Sequence, residues 1–179
     1  MVYFLLADGF EETEAIVPID ILKRAGFDVK TVSFKDGLFV TGNHNITIKC
    51  DINFKGGDFS DITAVVMPGG MPGADNLDKE PKIDEILKSA KEKNAVMAAI
   101  CAAPMILGKR GYLDGKKATC FQDFEEFLKG AQILRKAAVR DGKIVTASGA
   151  GGAFEFAFEL LCALGSDPDK LKKQINYFR

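Results

Sequence analysis

Histidine is almost absent from this chain: among 179 residues only His44 occurs, and no two cysteines stand in a C-x-x-C spacing. That leaves no basis for a structural zinc site. Long apolar runs are missing too. The longest, residues 95–107, falls well short of the roughly 18 residues that a membrane span needs. The run at residues 2–7 is too short for a signal-peptide core and has no basic residue ahead of it. No charge of one sign dominates, since 24 basic residues face 25 acidic ones for a net charge of −1. The densest basic stretch is Lys170, Lys172 and Lys173, so neither nucleic acid nor a membrane is expected as a partner. Cysteine is sparse: Cys50, Cys101, Cys120 and Cys162 lie far apart. Without an export signal they are expected as reduced thiols in the cytoplasm.

What is present suits one domain over residues 1–179 with a sizeable core. Residues 2–7 read as a buried strand stopped by Asp8 and Gly9. Ile16, Ile19, Leu22 and Ala25 then recur at helical spacing up to Gly26, with Pro18 expected to bend or shorten that helix. Residues 28–34 read as the second strand. Residues 39–41 and 46–48 flank Gly42 to Asn45 as a β-hairpin, an arm that either meets a partner subunit or lies as plain surface. Residues 54–61 read as loop and 63–67 as a buried strand closed by residues 68–73. An amphipathic helix is expected over 78–94. After residue 101 come a helix-like segment at 105–108, a short strand at 117–120 and a short helix at 123–128. A hairpin around Asp141-Gly142, an apolar helix over 153–164 and a last helix over 168–175 complete the chain. Strands alternating with helices predict an α/β fold, a three-layer α/β/α sandwich around a mainly parallel sheet.

The stretch Val96-Met97-Ala98-Ala99-Ile100-Cys101-Ala102-Ala103-Pro104 carries the chemistry. A buried strand ends on a cysteine, small residues follow, and a helix starts: the pattern of a nucleophile elbow. The free N–H groups at the helix start are expected to favour a thiolate there. Two other corners reach the same sheet edge. One, residues 8–14, brings the carboxyl of Glu14. The other, residues 68–73, brings Gly69 and Gly70, whose backbone can approach a ligand closely. With Ala102 supplying another N–H, these groups amount to a nucleophile and an oxyanion site. Glu11 and Glu12 read as complements of the helix dipole, and Cys50, Cys120 and Cys162 as packing residues, with Cys120 close enough to border the site. The glycines at 149, 151 and 152 lack the spacing of a dinucleotide loop.

Taken in order, these motifs resemble the ThiJ/PfpI superfamily, in its Parkinson-associated DJ-one branch. The first loop and helix are matched by residues 8–14 with Pro18-Ile19-Asp20. The second loop is matched by Met67-Pro68-Gly69-Gly70 with Gly73 to Leu77, the elbow by residues 99–104, and the late helix by Phe154-Glu155-Phe156-Ala157. The resemblance implies a flavodoxin-like sandwich, a homodimer, and an oxidation-prone cysteine, Cys101, hydrogen-bonded by a protonated Glu14. Gly69, Gly70 and Ala102 fall on the family's oxyanion donors. Asn76, Cys120 and Phe121 fall around the pocket, Phe121 where the best-known branch member has a histidine. His44 falls on the hairpin where the branch has an arginine close to the dimer interface, and is expected as plain surface, with the pocket as the alternative. Ala102 replaces the histidine of protease-like relatives, so a Cys–His peptidase is not implied. Ser148 and Ala150 replace an arginine and a proline of the family. The expected activity is a stress-related glyoxalase or deglycase, free of metal and cofactor, acting on methylglyoxal or its early adducts. The alternative is a redox sensor or chaperone in which Cys101 is oxidised to sulfinate; an amidase or peptidase ranks last.

Overall fold

The computed structural model describes residues 1–178. A seven-stranded sheet forms its centre. The elements that build it are, in chain order, β1 (Val2–Leu6), α1 (Glu12–Arg24), β2 (Val29–Ser33), β3 (Phe39–Thr41), β4 (Thr47–Lys49), β5 (Ile52–Asn53), β6 (Ala64–Met67), α2 (Gly73–Asp78), α3 (Lys82–Glu92), β7 (Val96–Ile100), α4 (Pro104–Lys109), β8 (Lys117–Ala118), β9 (Gln132–Ile133), β10 (Ala138–Asp141), β11 (Ile144–Ala147), α5 (Ala153–Ala163) and α6 (Asp169–Gln174). The sheet order is β10-β11-β7-β6-β1-β2-β5, and every pairing is parallel except β10 with β11.

Alternation along each strand sorts side chains to the two faces. Tyr3, Leu5, Val65, Met67, Met97 and Ala99 pack with Ile83, Ile86, Leu87, Ile106 and Leu107 from α3 and α4. Val2, Phe4, Val66, Ala98, Ile100 and Val145 pack with Ile21, Leu22, Phe156, Leu160 and Leu161 from α1 and α5. Both faces are covered, which is why the central strands read as unbroken apolar runs. The three-layer sandwich expected from the sequence is the one found.

The topology also sets the working edge. The chain passes from β1 to β2 on one side, then places β6 and β7 on the other. The switch point therefore lies between β1 and β6, where open α/β sheets bind ligands. Phe4 pairs with Val66 and Val66 with Ala98, so the three strands end level and deliver residues 8–14, 68–73 and 101–104 to one place.

Several expectations are corrected. Pro18 does not shorten α1, which continues for 13 residues. The helix expected over 78–94 is two helices, α2 and α3, parted at Lys79 to Pro81. Between residues 123 and 128 only one 3-10 turn forms, over Glu125–Phe127. Two-residue strands β5 and β9 form where no element was expected. The hairpin of β3 and β4 docks against its own chain: the Gly9 N–H donates to the Thr41 carbonyl (2.8 Å) and the Asn43 N–H to the Phe10 carbonyl (2.8 Å).

Candidate active site

Cys101 follows β7 with φ of +65°, a left-handed conformation that costs a non-glycine residue about 1–2 kcal/mol. Its backbone is held on both sides. Its N–H donates to the Ala147 carbonyl (2.9 Å), and its carbonyl accepts the Phe121 N–H (2.8 Å). The turn lifts a half-buried sulfur over the ends of β6 and β7.

Glu14 lies in the first turn of α1 and is only 1% exposed. Its Oε2 accepts the Gly69 N–H at 2.9 Å, its carboxyl shares a hydrogen bond with the Cys101 sulfur, and the Ala150 N–H donates to it as well. The backbone N–H groups of Gly70 and Ala102 pull the thiol's pKa down, against the burial that raises it. The five residues singled out from the sequence, Glu14, Gly69, Gly70, Cys101 and Ala102, thus meet in one cluster.

Glycine is required at this corner for space. A Cβ on Gly69 would lie 2.6 Å from Cys101 Cβ, one on Gly73 2.5 Å from the Phe10 nitrogen, and one on Gly70 2.4 Å from the Glu11 nitrogen. Gly70 also has φ of +84°. Backbone thus presses directly on backbone, and the Glu11 N–H donates to the Gly69 carbonyl at 2.9 Å.

The electrostatics overturn the expectation of an acidic sulfur: in the resting pair the thiol is less acidic than a free cysteine. Burial pushes the Glu14 carboxyl up to about 7, against the hydrogen bonds from Cys101 and Gly69, and the charge of Glu11 adds to the rise. Burial, followed by the charge and hydrogen bond of Glu14, pushes the Cys101 thiol up to about 12, against the N–H groups of Gly70 and Ala102. The two groups titrate as a pair. The carboxyl gives up its proton near neutrality, while burial and the Glu14 charge keep the proton on the thiol. The dipole of α4 contributes little, because that helix has six residues. The N–H groups of Gly70 and Ala102 act in the expected direction but are outweighed by burial and by Glu14.

The other candidates are arranged around this cluster. Phe121 is 43% exposed, and its ring lies 3.4 Å from where a Cβ on Gly149 would be; that Cβ would be 3.9 Å from Glu14 Oε1. Cys120 is buried beside it, its thiol pushed up to about 12 by burial. Both line an open cleft of about 960 Å³ with Arg135, Lys136 and residues 148–152; neither Cys101 nor Glu14 lines it. Asn76 does not face a ligand: its Nδ2 donates to the Asp8 carbonyl at 2.9 Å and ties α2 to the first corner.

His44 also stands outside the cluster. Its side chain is 66% exposed, with Nδ1 2.9 Å from Glu12 Oε2 and 4.0 Å from Glu11 Oε1. Glu12 is not a simple dipole complement. It is buried, and its Oε1 accepts the N–H groups of His44 (2.7 Å) and Ile46 (3.3 Å). Glu11 caps α1 by accepting the Glu14 N–H at 2.7 Å. One atom from each of Glu11, Glu12 and His44 lies within 4.8 Å of the others, and the Glu12 carboxylate ties hairpin to helix. No helix among the described residues is long and apolar enough to cross a membrane. The strut role of Glu12 and the Ala150 donor were not found from sequence; neither residue type announces such a role by its spacing.

Comparison with known proteins bears on the same edge of the sheet. Residues 1–163 match the sequence model of the DJ-1/PfpI family. Protein dj-1beta of Drosophila melanogaster is 32% identical over 158 residues, covering 87% of this chain and 84% of that protein. Deglycase TK1284 of Thermococcus kodakarensis is 33% identical over 163 residues, covering 89% and 96%. The solved structure of oxidized Toxoplasma gondii DJ-1 superposes with a TM-score of 0.93 at 30% identity, covering 99% of this chain and 98% of that one.

Proposed function

Because this chain belongs to the DJ-1/PfpI family, we propose that it is a cysteine-dependent glyoxalase or deglycase acting on methylglyoxal or its early adducts. Deglycase-named relatives support a deglycase or stress-related role in general. The observation that carries the finer reading is the Glu14 carboxyl, buried and hydrogen-bonded to the Cys101 sulfur inside a ring of backbone N–H donors.

In the single-proton form of the pair, the tautomer with the proton on Glu14 has a nucleophilic sulfur. That sulfur adds to the aldehyde carbon, and the carbonyl electron pair moves to oxygen. The N–H groups of Gly70 and Ala102 hold this oxygen, and Glu14 delivers its proton there. The product is a hemithioacetal. As a carboxylate, Glu14 then takes the hydrogen from the sulfur-bearing carbon, giving an enediolate, and returns it to the neighbouring carbon. The hydroxyl proton passes from the first oxygen to the second, leaving a lactoyl thioester. Water cleaves the thioester to lactate and restores the thiol, so methylglyoxal plus water yields lactate. An early adduct enters as the aldehyde it releases. In this reading the protein works as a cytoplasmic homodimer, with no metal, cofactor, nucleic acid or membrane.

Lactate formed from methylglyoxal is to be measured for the wild type, Cys101→Ser and Glu14→Gln. Both variants should lose at least 100-fold in rate. Equal rates, or no lactate from any of them, overturn the reading.

A second reading rests on the left-handed, half-buried Cys101. We read its sulfur as also able to take one oxygen from each of two hydroperoxide molecules, each reduced to its alcohol or to water, passing through a sulfenic acid to a sulfinate signal. Intact mass after mild peroxide tests it: two added oxygens in the wild type and none in Cys101→Ser support it, and an unchanged wild-type mass refutes it. Amide hydrolysis draws no support, since the single histidine is engaged by Glu12.

A further inference from the structure

Cys101 and Glu14 account for bond making and proton movement, yet Glu11, which touches Glu14, and His44, which reaches Glu11, are so far unused. Glu11 has one oxygen on each side of a junction. Its Oε2 accepts the Glu14 N–H at 2.7 Å, and its Oε1 lies 4.0 Å from His44 Nδ1. The Glu11 side chain is only 16% exposed, so water damps its field incompletely. His44 is brought there by the hairpin. Its backbone N–H and ring both bond to the buried Glu12, two residues before Glu14 on the same helix. The groups that face this junction are few: Cys101 and the N–H groups of Gly69 and Ala150 face Glu14, while Glu11 and Glu12 face His44.

We propose that Glu11 and the hairpin-tip His44 are a positioning pair for Glu14: the Glu11 carboxylate fixes the helix turn and sets a negative charge against Glu14, and the His44 imidazolium offsets that charge. The pair thereby decides how much of the protein keeps a proton on Glu14, the form with a nucleophilic sulfur. The proposal rests on the cysteine–carboxyl reading of the site. Two electrostatic facts agree with it. The charge of Glu11 helps raise Glu14, and the hydrogen bond and charge of Glu12, with Glu11, raise His44 above its ordinary 6.5. His44 therefore carries positive charge in more of the molecules at neutral pH than a free histidine would.

The two residues act on Glu14 with opposite signs, which a merely structural role would not produce. Glu11→Gln keeps an oxygen to cap the Glu14 N–H and removes only the charge. His44→Gln keeps a donor for Glu12 and removes only the cation. The readout is the rate of Cys101 alkylation by iodoacetamide from pH 5 to 10, located by peptide mass, with no substrate present. In Glu11→Gln the midpoint should fall by about half a unit to one unit, and the plateau rate should fall with it. In His44→Gln the midpoint should rise by about a few tenths of a unit, less because the ring is exposed. Glu11→Asp should restore most of the wild-type profile. Midpoints that stay put in both variants, or move the same way in both, overturn the proposal.

Because alkylation reads the sulfur directly, the two ideas fail separately. Opposite shifts without lactate production sink the glyoxalase reading alone. Lactate production without the shifts sinks the positioning pair alone.

Discussion

Gly69 donates its N–H to Glu14 at 2.9 Å, and a methyl group on that glycine would lie 2.8 Å from the same Glu14 oxygen. The donor and the absence of a side chain are one requirement. Gly69→Ala must push apart Cys101 and Glu14, because its Cβ would also lie 2.6 Å from Cys101 Cβ. Overpacking of this kind costs about 1–3 kcal/mol. Thermal unfolding should show a lower Tm, and activity should fall further than stability, since the misplaced groups are the reacting ones.

The buried carboxyl makes stability depend on pH in a set direction. Glu14 is pushed from an ordinary value of 4.5 up to about 7, so the folded protein holds this proton more tightly than the unfolded chain. Below about pH 4.5 both states are protonated and the full stability is present. As pH rises toward 7 the unfolded chain loses the proton first, and stability drops by an amount on the order of 3 kcal/mol from this group. Urea unfolding at pH 5 and 7.5 should show that drop in the wild type. In Glu14→Gln the drop should be smaller by most of that amount.

Glu12 acts as a strut between α1 and the hairpin. It is 6% exposed and accepts two backbone N–H groups from residues 44 and 46. Glu12→Ala should cost about 1–3 kcal/mol, because buried donors then lose their acceptor. Hydrogen exchange at the amides of His44 and Ile46 should speed up well before the amides of β1 and β6 respond.

Arg110 clamps the opposite side of the sheet. Its guanidinium bonds Asp78 Oδ1, Asp84 Oδ1 and the carbonyls of Asp78 and Ile106, with only 19% of the side chain exposed. Arg110→Ala should lower stability by about 1–3 kcal/mol in denaturant unfolding. Arg110→Lys should recover less than half of that, since a point charge cannot reproduce the planar fork. Alkylation of Cys101 should be unchanged in both, which separates this clamp from the active corner.

The sequence made the central strands legible for a simple reason. β1, β6 and β7 are buried on both faces, so Val2–Leu6, Ala64–Met67 and Val96–Ile100 are apolar throughout. The elbow at Cys101 was legible because small residues and Pro104 follow such a strand at once. The short pieces were not. β5 and β9 have two residues each and exist because a neighbouring strand offers hydrogen bonds. α2 shows only Ala74 and Leu77 as buried apolar side chains, too little to make a period. Glu12 and Glu14 differ from surface glutamates only in what lies opposite them, and that comes from residues about 30 and 55 positions away. The resemblance placed Glu14; composition and spacing could not.

The glycine-packed contact between the first two corners has an evolutionary consequence. Because main chain touches main chain there, Glu14 and the N–H groups of Gly69 and Gly70 belong to one rigid casting, and neither can drift without the other. Room for change lies across the cleft, at Phe121, Arg135, Lys136 and Ser148. New substrates would be selected there, by reshaping one wall while the machinery behind the other stays as cast.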